Sequence, residues 1–269
     1  MDRSAPSTED PALPVRLDAM NEQTWNAAEY VCHAGFVASL GAGLLDVLAP
    51  QAGEHVLDLG CGDGALTSEL AARGCSVVGV DSSPEQVAHA RARGLDARVV
   101  DGQALGFEQE FDAVLSNAAL HWMKRPAAVL DGVWRSLEPG GRFVGEMGGI
   151  GNVASVVEAA HSLLAAAGID SASCNPWYFP SVDTYQGLLT AQGFELDFIM
   201  LFRRPTPLDG DVSHWLRLFA QSFAAAVPEA RRADFHAALR ARLAPRLMDA
   251  AGRWCMDYVR LRFKVRKPA

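Results

Sequence analysis

The stretch Val56-Leu57-Asp58-Leu59-Gly60-Cys61-Gly62-Asp63-Gly64 constrains this chain more than any other. An apolar strand runs into a turn with glycine at every second position, and a helical pattern (Ala65, Leu66, Leu70, Ala71) follows. Glycine lacks Cβ, so such a turn bends sharply and lets a ligand approach the backbone. The helix beyond it points its first N–H groups at whatever binds there. The pattern predicts a nucleotide-like ligand over the end of the first strand. A tight loop with no ligand is the plainer alternative.

The glycines alone leave the ligand open. Gly60, Gly62 and Ala65 satisfy the dinucleotide fingerprint G-x-G-x-x-G/A, which would suggest an NAD-dependent oxidoreductase. Asp58 points elsewhere. A carboxylate on a strand entering a core is costly without a partner, and a ligand ammonium group is one such partner. The same carboxylate would repel the pyrophosphate that a dehydrogenase turn must hold.

The strands that follow keep to a parallel α/β rhythm. Cys75-Ser76-Val77-Val78-Gly79-Val80-Asp81 reads as a second buried strand. It ends in an acid about 20 residues past the glycine turn, where a carboxylate can accept both ribose hydroxyls. Asp81-Ser82-Ser83-Pro84 also starts a helix well, with Ser82 or Ser83 as the cap, and Gly94 suits its end. A third strand, Ala97 to Val100, leads into Asp101-Gly102-Gln103. A fourth, Phe111 to Asn117, leads into Ala118-Ala119-Leu120-His121-Trp122. An amphipathic helix through Leu130, Val133 and Trp134 then reaches Pro139-Gly140-Gly141 and a fifth strand, Arg142 to Met147. Phe194 to Phe202 and the alternating run Val259 to Arg266 read as two further strands. The cations of the latter (Arg260, Arg262, Lys264, Arg266) read as its solvated face. Arg203 and Arg204 also read as solvated surface, with an acceptor carboxylate as their other possible partner.

Composition excludes several classes. A formal net charge of −8 argues against a nucleic-acid binder, which needs clustered cations. Five scattered cysteines without a C-x-x-C fit a reducing cytoplasm, with no disulfide framework or zinc. No metal is expected, since no His/Cys/Asp cluster has ligand spacing. No apolar run is long enough to cross a bilayer, and the polar, proline-rich first residues lack a signal core. A cytoplasmic protein, with a monomer favoured, is the expectation.

VLDLGCGDG, the acids Asp81 and Asp101, the phrase Asn117…His121-Trp122 and Pro139-Gly140-Gly141 occur in one order over about a hundred residues. In that order they resemble the motifs of class I S-adenosylmethionine-dependent methyltransferases. Trp25 and Tyr30 in an N-terminal helical segment, Ser116-Asn117-Ala118-Ala119-Leu120-His121-Trp122 and a helical insert before the last strand resemble the trans-aconitate methyltransferase branch in particular. The resemblance implies an α/β, Rossmann-like, mostly parallel seven-stranded sheet with helices on both faces and a helical lid. It implies S-adenosylmethionine as cofactor and methyl transfer to a small organic acceptor, at a carboxylate or hydroxyl oxygen. A protein that binds the cofactor without turning it over is the remaining alternative.

The resemblance also assigns residues. Gly60 and Gly62, with Asp58 and Cys61, form the turn beneath the methionine part. Asp81 and Ser82 hold the ribose, and Asp101, Gly102 and Gln103 neighbour the adenine. Gln86 stands where an apolar residue often packs on the adenine. Asn117 is a backbone contact near the sulfonium, and Tyr30 joins the cofactor side. Acceptor-side candidates are Trp25, His121, Trp122, Glu146, Trp177, Tyr178 and Trp215, an aromatic-rich set that suits an acceptor with apolar surface. His121 is the one titratable side chain the motif places near the transferring methyl, a general base for a hydroxyl acceptor and a spectator for a carboxylate. The expected layout is a flexible tail over 1–17, an N-terminal helical gate over 18–50 and a cofactor-binding core over 51–149. The rest of the sheet follows over 150–269, with the lid at about 205–252.

Overall fold

A computed structural model describes residues 43–269. Trp25 and Tyr30, the proposed gate up to residue 42 and the tail therefore lie outside the described residues. Seven strands form one sheet in the order β3-β2-β1-β4-β5-β7-β6. They are β1 (His55–Leu59), β2 (Ser76–Asp81), β3 (Asp96–Val99), β4 (Phe111–Asn117), β5 (Leu137–Gly148), β6 (Glu195–Pro207) and β7 (Cys255–Arg266). The pairs from β3 through β5 are parallel, and β7 runs antiparallel to both its neighbours.

The alternation of side chains along β1 explains why it is apolar throughout. Val56 packs on one face of the sheet with Leu44, Leu45 and Leu48 of α1 (residues 43–48) and Leu66 and Leu70 of α2 (Ala65–Ala72). Leu57 and Leu59 pack on the other with Val129, Leu130 and Val133 of α4 (Pro126–Ser136) and with Tyr185 and Leu189 of α6 (Val182–Ala191). A strand buried on both faces needs a continuous apolar run, with no polar alternation. Between them, α3 (Pro84–Ala92) starts at Ser83, whose hydroxyl accepts the Gln86 N–H at 3.3 Å, with Pro84 in its first turn.

The segments beyond β5 and β6 build a helical layer. It comprises α5 (Ala154–Ala166), α7 (Val212–Phe219), α8 (Gln221–Ala225) and α9 (Arg232–Leu247). Their shared core holds Val156, Trp177, Trp215, Leu216, Phe223, Leu239 and Leu243 together with Met256 and Tyr258 of β7. Each large apolar side chain so buried contributes about 1.5–3 kcal/mol. The layer leaves the sheet at the carboxyl ends of strands parallel to β1, the side on which open α/β sheets bind ligands.

Two readings of the sequence need correction. β5 begins at Leu137, five residues before the expected Arg142, and its register against β4 shifts between Phe111 and Ala113 to absorb the Pro139–Gly141 turn. The cations of β7 do not share one solvated face: Arg266 is exposed, Arg262 and Lys264 are half-buried and Arg260 is buried. Arg260 is 5% exposed, Arg262 pairs with Glu146 at 2.6 Å, Lys264 donates to the Val47 carbonyl at 3.1 Å, and Arg266 pairs with Asp197. Arg204, read as surface, likewise pairs with the buried Glu146 at 2.6 Å.

Candidate active site

The sheet order reverses between β1 and β4, and the loops leaving these two strands meet there. A Cβ on Gly60 would stand 2.1 Å from the Ala119 Cβ, so only glycine lets them close together; its φ of +77° has the same requirement. A cleft opens above this contact. Gly60 and Gly62 floor it, Asp81, Ser82 and Gln86 line it from β2 and α3, and Val100, Asp101, Gly102 and Gln103 follow from the loop after β3. Asn117, Ala118, Ala119, Trp122 and Met123 complete it from β4.

Asp81 fixes the floor of the cleft. One carboxylate oxygen accepts the Gly62 N–H at 3.0 Å and the other the Ser83 N–H at 2.8 Å. Burial raises its pKa and these hydrogen bonds oppose the rise. Asp101 is more open, accepting the Gln103 N–H at 2.9 Å. Gln86 is 3% exposed, and its side-chain oxygen has no hydrogen-bond partner in the protein. A buried, unsatisfied acceptor in a cleft wall fits a ligand that brings a donor, as a ribose hydroxyl or an adenine amino group would.

Asp58 and Cys61 lie beneath the floor and do not line the cleft. Asp58 is 2% exposed and accepts the Thr67 hydroxyl at 2.6 Å. Burial pushes its pKa up to about 6, against that hydrogen bond and with help from the charge of Asp81. Burial likewise pushes the Cys61 thiol up, with the charges of Asp58 and Asp81 adding to the effect.

A second, smaller cavity shares Ala118 and Trp122 with the first and continues under the helical layer. Its walls are aromatic: Trp177 stacks on Phe179 with centroids 5.5 Å apart and meets Trp122 edge-on at 5.9 Å, and Trp215 sits 5.1 Å from Phe219. Trp215 is held by its indole N–H, which donates to the Tyr258 hydroxyl at 2.5 Å. Polar groups are few: His121, Asn152, Tyr258 and Arg260. His121 Nδ1 accepts the Gly148 N–H at 3.3 Å, which places the ring proton of a neutral imidazole on Nε2. Burial first, and then the charge of Arg260, hold its pKa well below 6.5.

Two strained residues mark the same cavity. Ala118 has φ 56° and Val153 φ 45°, and both line it. A β-branched residue in that region is a true outlier, and such strain gathers at functional sites. Val153 is held there by the loop's ties to β7: its N–H donates to the Asp257 carbonyl at 3.2 Å, and Asn152 accepts the Val259 N–H at 2.9 Å.

Of the expected site residues, the first cleft gathers Gly60, Gly62, Asp81, Ser82, Gln86, Asp101, Gly102, Gln103 and Asn117. The second cavity gathers His121, Trp122, Trp177 and Trp215. Glu146 lies elsewhere, 2% exposed between Arg204 and Arg262, and Tyr178 packs with the core around β1, its N–H donating to the His121 carbonyl at 2.8 Å. Sequence reasoning missed Ala118, Val153, Phe179, Phe219, Tyr258 and Arg260. Only the alternation of β7 signalled the last two, and it did not say what would cover that face. Among the described residues no group of three His, Cys, Asp or Glu could hold a metal ion, and no helix is long and apolar enough to cross a membrane.

Residues 57–145 match the methyltransferase domain family. An uncharacterized methyltransferase of Schizosaccharomyces pombe is 40% identical over 262 residues, covering 92% of this chain and 100% of its own. A trans-aconitate 2-methyltransferase of Methylobacterium nodulans is 32% identical over 185 residues, covering 64% of this chain and 70% of its own. Among solved structures, a phosphoethanolamine N-methyltransferase 2 of Haemonchus contortus, in complex with phosphomonomethylethanolamine and S-adenosylhomocysteine, has the same fold. Its TM-score is 0.57 at 19% identity, over 86% of this chain and 53% of that one.

Proposed function

The chain belongs to the S-adenosylmethionine-dependent methyltransferases, and we propose that the atom it methylates is an oxygen of a small organic acceptor, a carboxylate oxygen. The NAD-dependent oxidoreductase reading falls with that membership. In our reading, the cofactor lies in the cleft between β1, β2 and β4, on Gly60 and Gly62 and against Asp81, Ser82, Gln86 and Asp101, with the acceptor in the aromatic cavity beyond Ala118 and Trp122. The cofactor supplies an electrophilic methyl group. An acceptor lone pair forms the new O–CH₃ bond as the S–CH₃ bond breaks, its electron pair going to sulfur.

One observation carries the choice of oxygen. Among the described residues, the acceptor-side cavity offers no group suited to take a proton at neutral pH. His121 turns Nδ1 to the Gly148 N–H, and burial and Arg260 suppress its basicity. A hydroxyl or protonated amine must lose a proton on methylation, and a well-placed base is worth roughly 10²–10⁴-fold in rate. A carboxylate is an anion already and needs none. What remains for the protein is to align acceptor and methyl and to exclude water, which aromatic walls do.

The five scattered cysteines, of which the four described are free thiols, support a cytoplasmic protein, and the aromatic cavity supports a small-molecule acceptor over nucleic acid. Incubation with methyl-labelled S-adenosylmethionine and a panel of small acids, phenols and amines tests the reading. Label in the acids is expected; label in phenols or amines alone overturns it.

A further inference from the structure

The buried face of α3 carries a long polar side chain where its spacing calls for an apolar one. Gln86, Val87 and Ala90 share that face, and Val87 and Ala90 pack with Ala97 of β3. Gln86 stands beside them, 3% exposed, and lines the first cleft. Its Oε1 is buried and has no hydrogen-bond partner among the described residues. An acceptor sealed from water without a donor costs the free protein stability, and a bound donor recovers that cost. The last torsion of a glutamine is soft, so the oxygen turns into the cleft at little expense.

The apolar contact that a flat base needs comes from other residues of the cleft. Val80 and Val100 line it, and Met123 lies over Gly102, where an added Cβ would stand 2.9 Å from the Met123 Sδ. Gln86 is thereby left to hydrogen bonding. Only an N–H or O–H group can answer its oxygen, and a nucleoside offers both.

We propose that Gln86 is a specificity-determining residue of the cofactor cleft, its side-chain oxygen accepting a hydrogen bond from the cofactor's nucleoside. The donor is the adenine amino group or a ribose hydroxyl. This rests on the placement of the cofactor in that cleft and deepens it. The free protein bears the cost of the orphaned oxygen and the bound protein does not, so stability and affinity move in opposite directions when Gln86 is replaced.

The test compares the full-length parent with Gln86→Met, which keeps the side chain's size and removes its oxygen. Without ligand, Gln86→Met should unfold at a higher denaturant concentration than the parent. It should bind S-adenosylhomocysteine about tenfold more weakly by calorimetry, the scale of one hydrogen bond to a sealed polar group. S-inosylhomocysteine and the 2′- and 3′-deoxy forms of S-adenosylhomocysteine then find the donor. The analogue that lacks it should show a loss of affinity about tenfold smaller in Gln86→Met than in the parent. That analogue is the inosine form for the amino group and a deoxy form for a hydroxyl.

A free variant no more stable than the parent overturns the proposal, because the oxygen would then have a partner in the protein. Unchanged or tighter binding of S-adenosylhomocysteine by Gln86→Met overturns it too, as do losses for all three analogues as large in the variant as in the parent. Asp81→Ala separates these failures from that of the cleft. Binding weakened there and untouched at Gln86 removes only Gln86, whereas binding insensitive to both variants takes the cofactor out of the cleft.

Discussion

The Asp81 carboxylate at the end of β2 accepts the Gly62 N–H from the turn after β1 at 3.0 Å, joining the two strand ends that face the cleft. The same carboxylate lines that cleft, so it both shapes the glycine turn and meets whatever lies above it. The N–H groups a pyrophosphate would need are in part already taken by this acid, which suits a ligand with hydroxyls and a cationic end.

Asp81→Ala should weaken S-adenosylhomocysteine binding by roughly 1.5–3 kcal/mol, the scale of hydrogen bonds to a charged group. Calorimetry on the folded variant reads this directly, and unchanged affinity would remove Asp81 from the cofactor site.

Asp58 should make the free protein less stable as pH rises. Its pKa of about 6 in the folded chain exceeds the ordinary aspartate value of 3.8, so the folded state binds the proton more tightly. The contribution is fully present below about pH 4 and is lost as pH rises through about 6, an upper bound of about 3 kcal/mol. Denaturant titrations of the parent and of Asp58→Asn should differ by this slope, and parallel curves would contradict it. A ligand ammonium group near the glycine turn would reverse the shift, so S-adenosylhomocysteine binding at pH 5.5 should release a proton. Binding enthalpies that do not vary with the buffer's ionisation enthalpy would place that cation away from Asp58.

His121 should be dispensable. Burial and the charge of Arg260 hold its pKa well below 6.5, which favours the neutral ring, and a carboxylate acceptor is ionised between pH 6 and 8. With saturating cofactor, the rate should be flat over that window, and His121→Gln, whose amide oxygen can still meet the Gly148 N–H, should lose less than about tenfold. A loss beyond about a hundredfold, together with an acid limb in the parent's profile, would make His121 a base.

The parallel half of the sheet was legible because burial on both faces writes itself as apolar runs ending in ligand-facing acids. Val56-Leu57-Asp58-Leu59 and Val77 to Asp81 are such runs, and the turns after them carry the glycines and carboxylates that line the first cleft. The acceptor cavity was only half legible. Trp177 and Trp215 stood out by type, but Arg260 was hidden by its own pattern. A strand alternating apolar and cationic residues looks the same whether the cations meet water or meet a buried acid and an aromatic chamber. The difference lies in β6 and the helical layer, which arrive from elsewhere in the chain. The left-handed Ala118 and Val153 left no trace at all, since neither residue type favours that conformation and only tertiary contacts hold them in it.

The chemistry of the transferred label tests the central claim most directly. A methyl group placed on a carboxylate is an ester, which mild alkali cleaves to methanol, whereas methyl ethers and methylamines survive. After incubation with methyl-labelled S-adenosylmethionine and small aromatic monocarboxylic acids, the label should appear in the acid and be released quantitatively as methanol by alkali. Label that stays on the acceptor after alkali would contradict methylation at a carboxylate. No label in any acceptor, with S-adenosylhomocysteine tightly bound, would make the protein a silent binder of the cofactor.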